Sequence, residues 1–169
     1  MTTIRPEVPA DHPAVAALLE RAFGGPAEAA IVEALRGRVE PEVSLVALEG
    51  GRLAGHAYFS PVRVQDGERA SGAIALGPVA VEPELQRSGI GSALVRAGLE
   101  TCRALGEPVV FVLGHPEYYP RFGFRPAAPL GLRFLSAEYD RAFFVLELEP
   151  GALAGRRGEV RYRPEFYGE

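Results

Sequence analysis

The chain has 169 residues, of which 47% are hydrophobic and 24% charged, with a formal net charge of -4, the make-up of one ordinary globular domain rather than of a disordered or fibrous chain. All 18 basic residues are arginines scattered along the chain, which argues against a nucleic-acid footprint and an anionic membrane surface. No lysine is present for a Schiff base or a phosphate-binding GK[ST] loop, and the single cysteine, Cys102, excludes an intramolecular disulfide and a cysteine-rich zinc site.

No stretch approaches the roughly 18 apolar residues of a membrane span, and "MTTIRPEVPADHP" lacks a basic start followed by an apolar run. The expectation is a cytoplasmic protein with a small-molecule partner, no nucleic acid and no membrane, and with a homodimer left open. His12, His56 and His115 lie far apart without HxxxH or HExxH spacing, so no metal is expected.

Along the chain, "IRPEV" at residues 4–8 reads as a first strand. Asp11 can cap a helix whose apolar positions Val15, Leu18, Leu19 and Phe23 keep helical spacing. Gly24 and Gly25 end it, and Pro26 opens a second short helix carrying Ile31, Val32 and Leu35. The period then changes to that of strands. "EVSLVALEGGRLAGHAYFSPVRV" gives two strands joined at Glu49-Gly50-Gly51, and Asp66-Gly67 turns into a third, "SGAIALGPVAV". From Ser88 to Leu105 the pattern is helical, with Ile90, Leu94, Ala97 and Leu105 on one stripe, and "VVFVL" follows as a buried strand. Strand, helix and strand in succession imply a right-handed βαβ crossover, so Ala73–Val81 and Val109–Leu113 are expected to run parallel. "HPEYYPRFGF" reads as a turn running into a strand that pairs with "AFFVLELEP" at 142–150. No linker interrupts the chain, and a single domain over residues 1–169 is expected.

The stretch "VEPELQRSGIGSALV", residues 81–95, opens a helix on two glycines, each of which costs roughly 0.5–1 kcal/mol against alanine inside a helix. Where a strand passes into a helix, unpaired N–H groups and the helix dipole favour an anion, and glycine lets a phosphate approach the backbone. A dinucleotide fingerprint would need a third glycine, where this chain has Leu94.

The wider pattern V-x-V-x-P-x-x-Q-x-x-G-x-G in "VAVEPELQRSGIGSALV" resembles the acyl-coenzyme A motif of the GNAT superfamily of N-acetyltransferases. Y-x-x-x-G-F at Tyr119 to Phe124 agrees with it in order along the chain. The wording "LGPVAV", "LGHPEYYPRFGF" and "GEVRYRPEF" is most similar to the YhbS-like group within that superfamily. The resemblance implies an α/β fold: a mixed, mostly antiparallel central sheet, helices on both faces and a βαβ cofactor-binding unit. It also implies acetyl-CoA as co-substrate and transfer of acetyl to an amine, either a small molecule or a protein N-terminus.

By the same resemblance, the backbone of Val79 and Val81 pairs with the pantetheine arm. Gln86, Arg87, Ser88, Gly89, Ile90, Gly91 and Ser92 form the pyrophosphate turn, and Tyr119 supplies a proton to the leaving thiolate while Tyr118 packs. Many family members carry an acidic residue where this chain has Ala75, so a base must come from elsewhere: Glu28, Glu82, His115 or a water chain. A catalytically silent acyl-CoA-binding module is the alternative reading.

Overall fold

The computed structural model describes residues 1–168 as two compact units, Met1–Ser60 with Gly77–Cys102, and Pro61–Leu76 with Arg103 onward. Strands β3 (Arg52–Asp66) and β4 (Arg69–Val81) each contribute one half to either unit.

In the first unit, β1 (Thr2–Pro6) pairs antiparallel with β2 (Val43–Glu49), from Thr2↔Glu49 to Pro6↔Leu45. Strand β2 pairs antiparallel with β3, from Val43↔Phe59 to Glu49↔Arg52, with a bulge at Ala47/Leu48. Helix α1 (His12–Phe23) buries Val15, Leu18 and Leu19, whereas Phe23, expected on the same stripe, is 44% exposed because the helix stops there at a left-handed Gly24. Helix α2 (Ala27–Leu35) buries Ala29, Val32 and Leu35.

Residues on β3 alternate between two faces. Gly55 and Phe59 face helix α3 (Ile90–Ala104): a Cβ on Gly55 would lie 2.8 Å from Leu94 Cδ1, and one on Gly98 would lie 2.2 Å from Phe59 Cε1. Gly98→Ala is therefore expected to destabilise the protein by about 1–3 kcal/mol despite alanine's better helix propensity, since the fully buried Phe59 must leave its rotamer. A denaturant midpoint at or above the parent's would contradict this. The opposite face carries His56, Tyr58 and Ser60, all buried. His56 Nε2 lies 2.9 Å from Ser44 Oγ, and the Ser44 hydroxyl donates to Glu7 Oε1 at 3.1 Å. Arg36 holds both Glu7 oxygens at 3.0 and 2.9 Å.

In the second unit, β4 runs parallel to β5 (Val109–Leu113) over Ile74↔Val110, Ala75↔Phe111 and Leu76↔Val112, the parallel pairing that the crossover demands. Strand β8 (Phe143–Glu147) pairs antiparallel with β5 and with the two-residue β6 (Arg125–Pro126). Strand β9 (Gly158–Arg161) pairs antiparallel with β3 and parallel with β7 (Leu132–Arg133). Alternate residues of these strands, among them Val64, Ala73, Ala75, Phe111, Leu132, Val145 and Val160, form with Phe134 an apolar core against which Tyr139 and Tyr162 pack.

Three further details depart from the sequence reading. Strand β1 begins at Thr2 and ends at Pro6, two residues earlier than expected. Helix α3 buries Ile90, Leu94, Val95, Gly98, Leu99 and Cys102, whereas Ala97 is half-buried and Leu105, 57% exposed, lies beyond the last turn, which closes with a Gly106 N–H to Arg103 C=O bond. Asp11 does not cap α1 with its side chain: Arg5 claims the carboxylate at 2.7 and 3.0 Å and the Val8 N–H at 2.8 Å.

Candidate functional site

The recorded pairing of β4 with β5 runs as far as Leu76. Two residues on, Pro78 has no N–H to continue a ladder, and Val79 and Val81 follow half-buried. At the strand end the Glu82 N–H bonds the Ala54 carbonyl at 2.8 Å, and the chain folds into a tight turn at Pro83–Leu85. Gln86 Nε2 donates back to the Val81 carbonyl at 3.3 Å, and the Ser88 hydroxyl donates to the Leu85 carbonyl. These two side chains pin the bend from both ends.

Arg87 (φ 67°) and Gly89 (φ 91°) then both take left-handed backbone, and α3 starts at Ile90 with the Ala93 N–H on the Gly89 carbonyl at 3.0 Å. The first N–H groups of any α-helix point out of its N-terminus with no carbonyl of the helix to meet. A Cβ built on Gly89 would meet no atom within 4 Å, so the space beside this residue, just before the helix start, is open. Glycine at 89 thus relieves strain at a positive φ and clears the approach to the helix end.

The two acidic candidates have different surroundings. Glu82 is 5% exposed and bidentate with Arg21, at 2.8 Å to Nε and 2.7 Å to Nη2, and the Arg21 guanidinium holds its carboxyl below the usual carboxylate range. Arg21 ties α1 to the end of β4 across 61 positions of sequence, a pairing that no local spacing announces. Glu28 sits half-buried in the first turn of α2, with no hydrogen bond or ion pair among the described residues. His115 is exposed at the end of β5, its carbonyl receiving the Tyr118 N–H at 3.1 Å.

Tyr119 opens a single turn of 3-10 helix, Tyr119–Phe122, and is 9% exposed. Its ring meets Phe124 edge-on at 5.7 Å and Tyr118 at 5.1 Å. It lies so close to Gly114 that a Cβ there would sit 2.3 Å from Tyr119 Cε2, which explains a glycine directly after the buried strand. Burial, helped by the neighbouring Tyr118 phenol, pushes the Tyr119 hydroxyl up to about 12. Tyr118 is half-buried, with the Arg121 guanidinium 4.4 Å above its ring.

Among the described residues no three His, Cys, Asp or Glu side chains gather as a metal site, and no helix is long and apolar enough to cross a membrane.

A mixed sheet with β4 and β5 parallel, the pairing of β4 with that neighbour ending midway, and a left-handed turn feeding a helix N-terminus define an α/β acyltransferase fold. Residues 3–127 match the family described as "Acetyltransferase (GNAT) domain". The chain is 38% identical to the uncharacterized N-acetyltransferase YhbS of Escherichia coli K12 over 164 residues, 96% of this chain and 97% of the relative. The crystal structure of YhbS from Escherichia coli in complex with CoA superposes with a TM-score of 0.89, covering 98% of this chain and 92% of that one. A GNAT acetyltransferase from Brucella melitensis, solved in complex with acetyl-CoA, is 34% identical with a TM-score of 0.80, covering 98% of both chains. The chain belongs to the GNAT acetyltransferase family, and its enzyme class is that of an N-acetyltransferase.

Proposed function

We propose that this N-acetyltransferase takes acetyl-CoA on the turn at residues 86–92 and passes the acetyl group to an amine, a small molecule or a protein N-terminus. The observation that carries the reading is the helix start, where left-handed Arg87 and Gly89 precede the first N–H groups of α3 and a Cβ on Gly89 would meet no atom within 4 Å. A pyrophosphate there gains from both the donors and the helix dipole. Val79 and Val81 offer main-chain groups to the pantetheine arm in the manner of strand addition. Use of CoA and the lone thiol of Cys102 fit a cytoplasmic enzyme.

Gly89→Asp tests the placement. The new carboxylate would occupy the open space and repel phosphate, in a backbone region that favours glycine. Acetyl-CoA at 100 times the parent's dissociation constant should stabilise the parent by about 2.7 kcal/mol and leave the variant unshifted in thermal melts. An equal shift in both would place the phosphates elsewhere.

Within this reading each polar group has a task. Acetyl transfer needs a neutral amine and a donor for the leaving thiolate. Tyr119 keeps its proton at neutral pH and serves as the donor. Glu28, unpaired among the described residues, is better suited than Glu82 to receive the amine's proton, directly or through water, because Glu82 has both oxygens committed to Arg21. Glu82 then acts by anchoring α1 to the strand end that precedes the phosphate turn.

A silent acyl-CoA-binding module is the second reading, favoured by one observation: Ala75 is buried in an apolar core and offers no carboxylate. Acetyl-CoA binding without thiol release across an amine panel would establish it.

A further inference from the structure

The C-terminal segment of the second unit holds a group to which neither the phosphate turn nor Tyr119 gives a role. Strand β9 ends at Arg161, and the next residue, Tyr162, packs its ring edge-on against Phe134 at 5.0 Å and Phe166 at 5.2 Å. Phe134 also meets Tyr139 at 5.2 Å and stacks on Tyr167 at 6.2 Å, so the rings form a continuous aromatic wall. The Tyr162 hydroxyl is fully buried and has no hydrogen-bond partner among the described residues. Buried hydroxyls almost always have one, because the lost hydration is otherwise uncompensated.

Two further observations say what lies near this residue. Tyr162 packs on the apolar core that includes Ala75, the position where the family resemblance leads one to expect a carboxylate. It also lies within electrostatic reach of Tyr119: burial first, then the phenols of Tyr167 and Tyr119, raise its hydroxyl above the ordinary tyrosine value. The phenol therefore stays neutral and serves as a hydrogen-bonding group rather than a base. Around it the charged side chains carried by β9 and the segment after it are Glu159, Arg161, Arg163 and Glu165. Arg161 pairs with Glu159 at 3.1 Å and Arg163 with Glu165 at 3.3 Å, so each described carboxylate of this segment already faces a guanidinium that competes with a polycation for it.

We propose that the Tyr162 hydroxyl recognises the acceptor: its oxygen accepts an N–H of the attacking amine beside Tyr119, and the aromatic wall carries the amine's apolar or aromatic stem. On one side the wall is bounded by a single turn at Pro164–Tyr167, fastened by the Tyr162 N–H to Tyr167 hydroxyl bond at 3.2 Å. This assignment rests on the acetyltransferase reading and extends it to the acceptor.

The test is Tyr162→Phe, which keeps the ring and removes only the hydroxyl, assayed for thiol release from acetyl-CoA with phenethylamine and with spermidine as probes. The acceptor KM for phenethylamine should rise about five- to tenfold while kcat and acetyl-CoA affinity hold and Tm does not fall, because a contact made equally before and during reaction raises KM alone. An unchanged KM overturns the proposal, whether Tm falls, as it would for a hydroxyl bound to a buried water, or rises, as it would for one left unsatisfied. A parent that prefers spermidine overturns it as well. If instead the parent turns over no amine and shows no thermal shift with CoA, the acetyltransferase reading itself has failed, and the two failures are told apart.

Discussion

Tyr119→Phe is expected to lower kcat by about 10²- to 10⁴-fold while CoA affinity and Tm stay close to the parent's. The ring is what packs: it meets Phe124, Tyr118 and Gly114, and phenylalanine reproduces those contacts. What disappears is a proton that burial holds on the oxygen up to about pH 12. The same burial bears on how the donor works. In the proposed role, a phenol this weak would not hand its proton to a free thiolate in water, but in apolar surroundings a developing sulfur anion is destabilised as well, and an O–H donated to it is worth more than in solvent. The rate should therefore stay flat as pH rises through 10, where an ordinary exposed phenol would ionise. An alkaline limb near that value, or an unchanged kcat in the phenylalanine variant, would remove Tyr119 from the role. Tyr118→Phe is the control and should matter little, since its ring carries the Arg121 stacking and Tyr119 contact.

The features legible in sequence were those carried by local periodicity and by backbone chemistry. The meander of β2, β3 and β4, the crossover into β5 and the bend at 81–92 all announce themselves through alternation, paired turn residues and glycines. Strands β7 and β9 do not, because two and four residues of mixed polarity, Leu132–Arg133 and Gly158–Arg161, hold no period. They exist because Val64 and Val160 bury against a common core. The site divides along the same line. Gly89 and Tyr119 sit in contiguous motifs, but the Arg21–Glu82 bridge and the orphan hydroxyl of Tyr162 depend on side chains brought together over long sequence distances. Glu82 shows the consequence: its position at a strand end beside the motif suits a base, and only the fold reveals the arginine already on it.

His56 is another residue whose meaning comes from the fold, and it gives the protein an acid-sensitive core. Ser44 has one hydroxyl proton, and with Glu7 receiving it at 3.1 Å, the 2.9 Å contact to His56 requires Nε2–H to donate to Ser44 Oγ. His56 Nδ1 is then a bare acceptor, buried and unpartnered among the described residues, so protonating it would place a charge in a site with no solvent. Desolvation lowers its pKa from 6.5 to about 4, Glu7 opposing the shift and Arg36 adding to it. The unfolded chain thus takes up this proton near pH 6.5 and the native protein only near 4. Stability is full above the upper value and falls as pH drops toward the lower one, by about 3 kcal/mol in all. The carboxylates whose pKa values the fold lowers, Asp11, Glu49, Glu82, Glu147 and Glu165, add their own losses from about pH 4.5 downward, so the window between pH 6.5 and 5 belongs mainly to the imidazole. Urea titrations at pH 7, 6 and 5 should show the decline in the parent and a nearly flat response in His56→Gln, even if that variant starts lower at pH 7. A parent equally stable at pH 7 and pH 5 would mean that His56 meets water, or a partner on Nδ1, that the fold does not show.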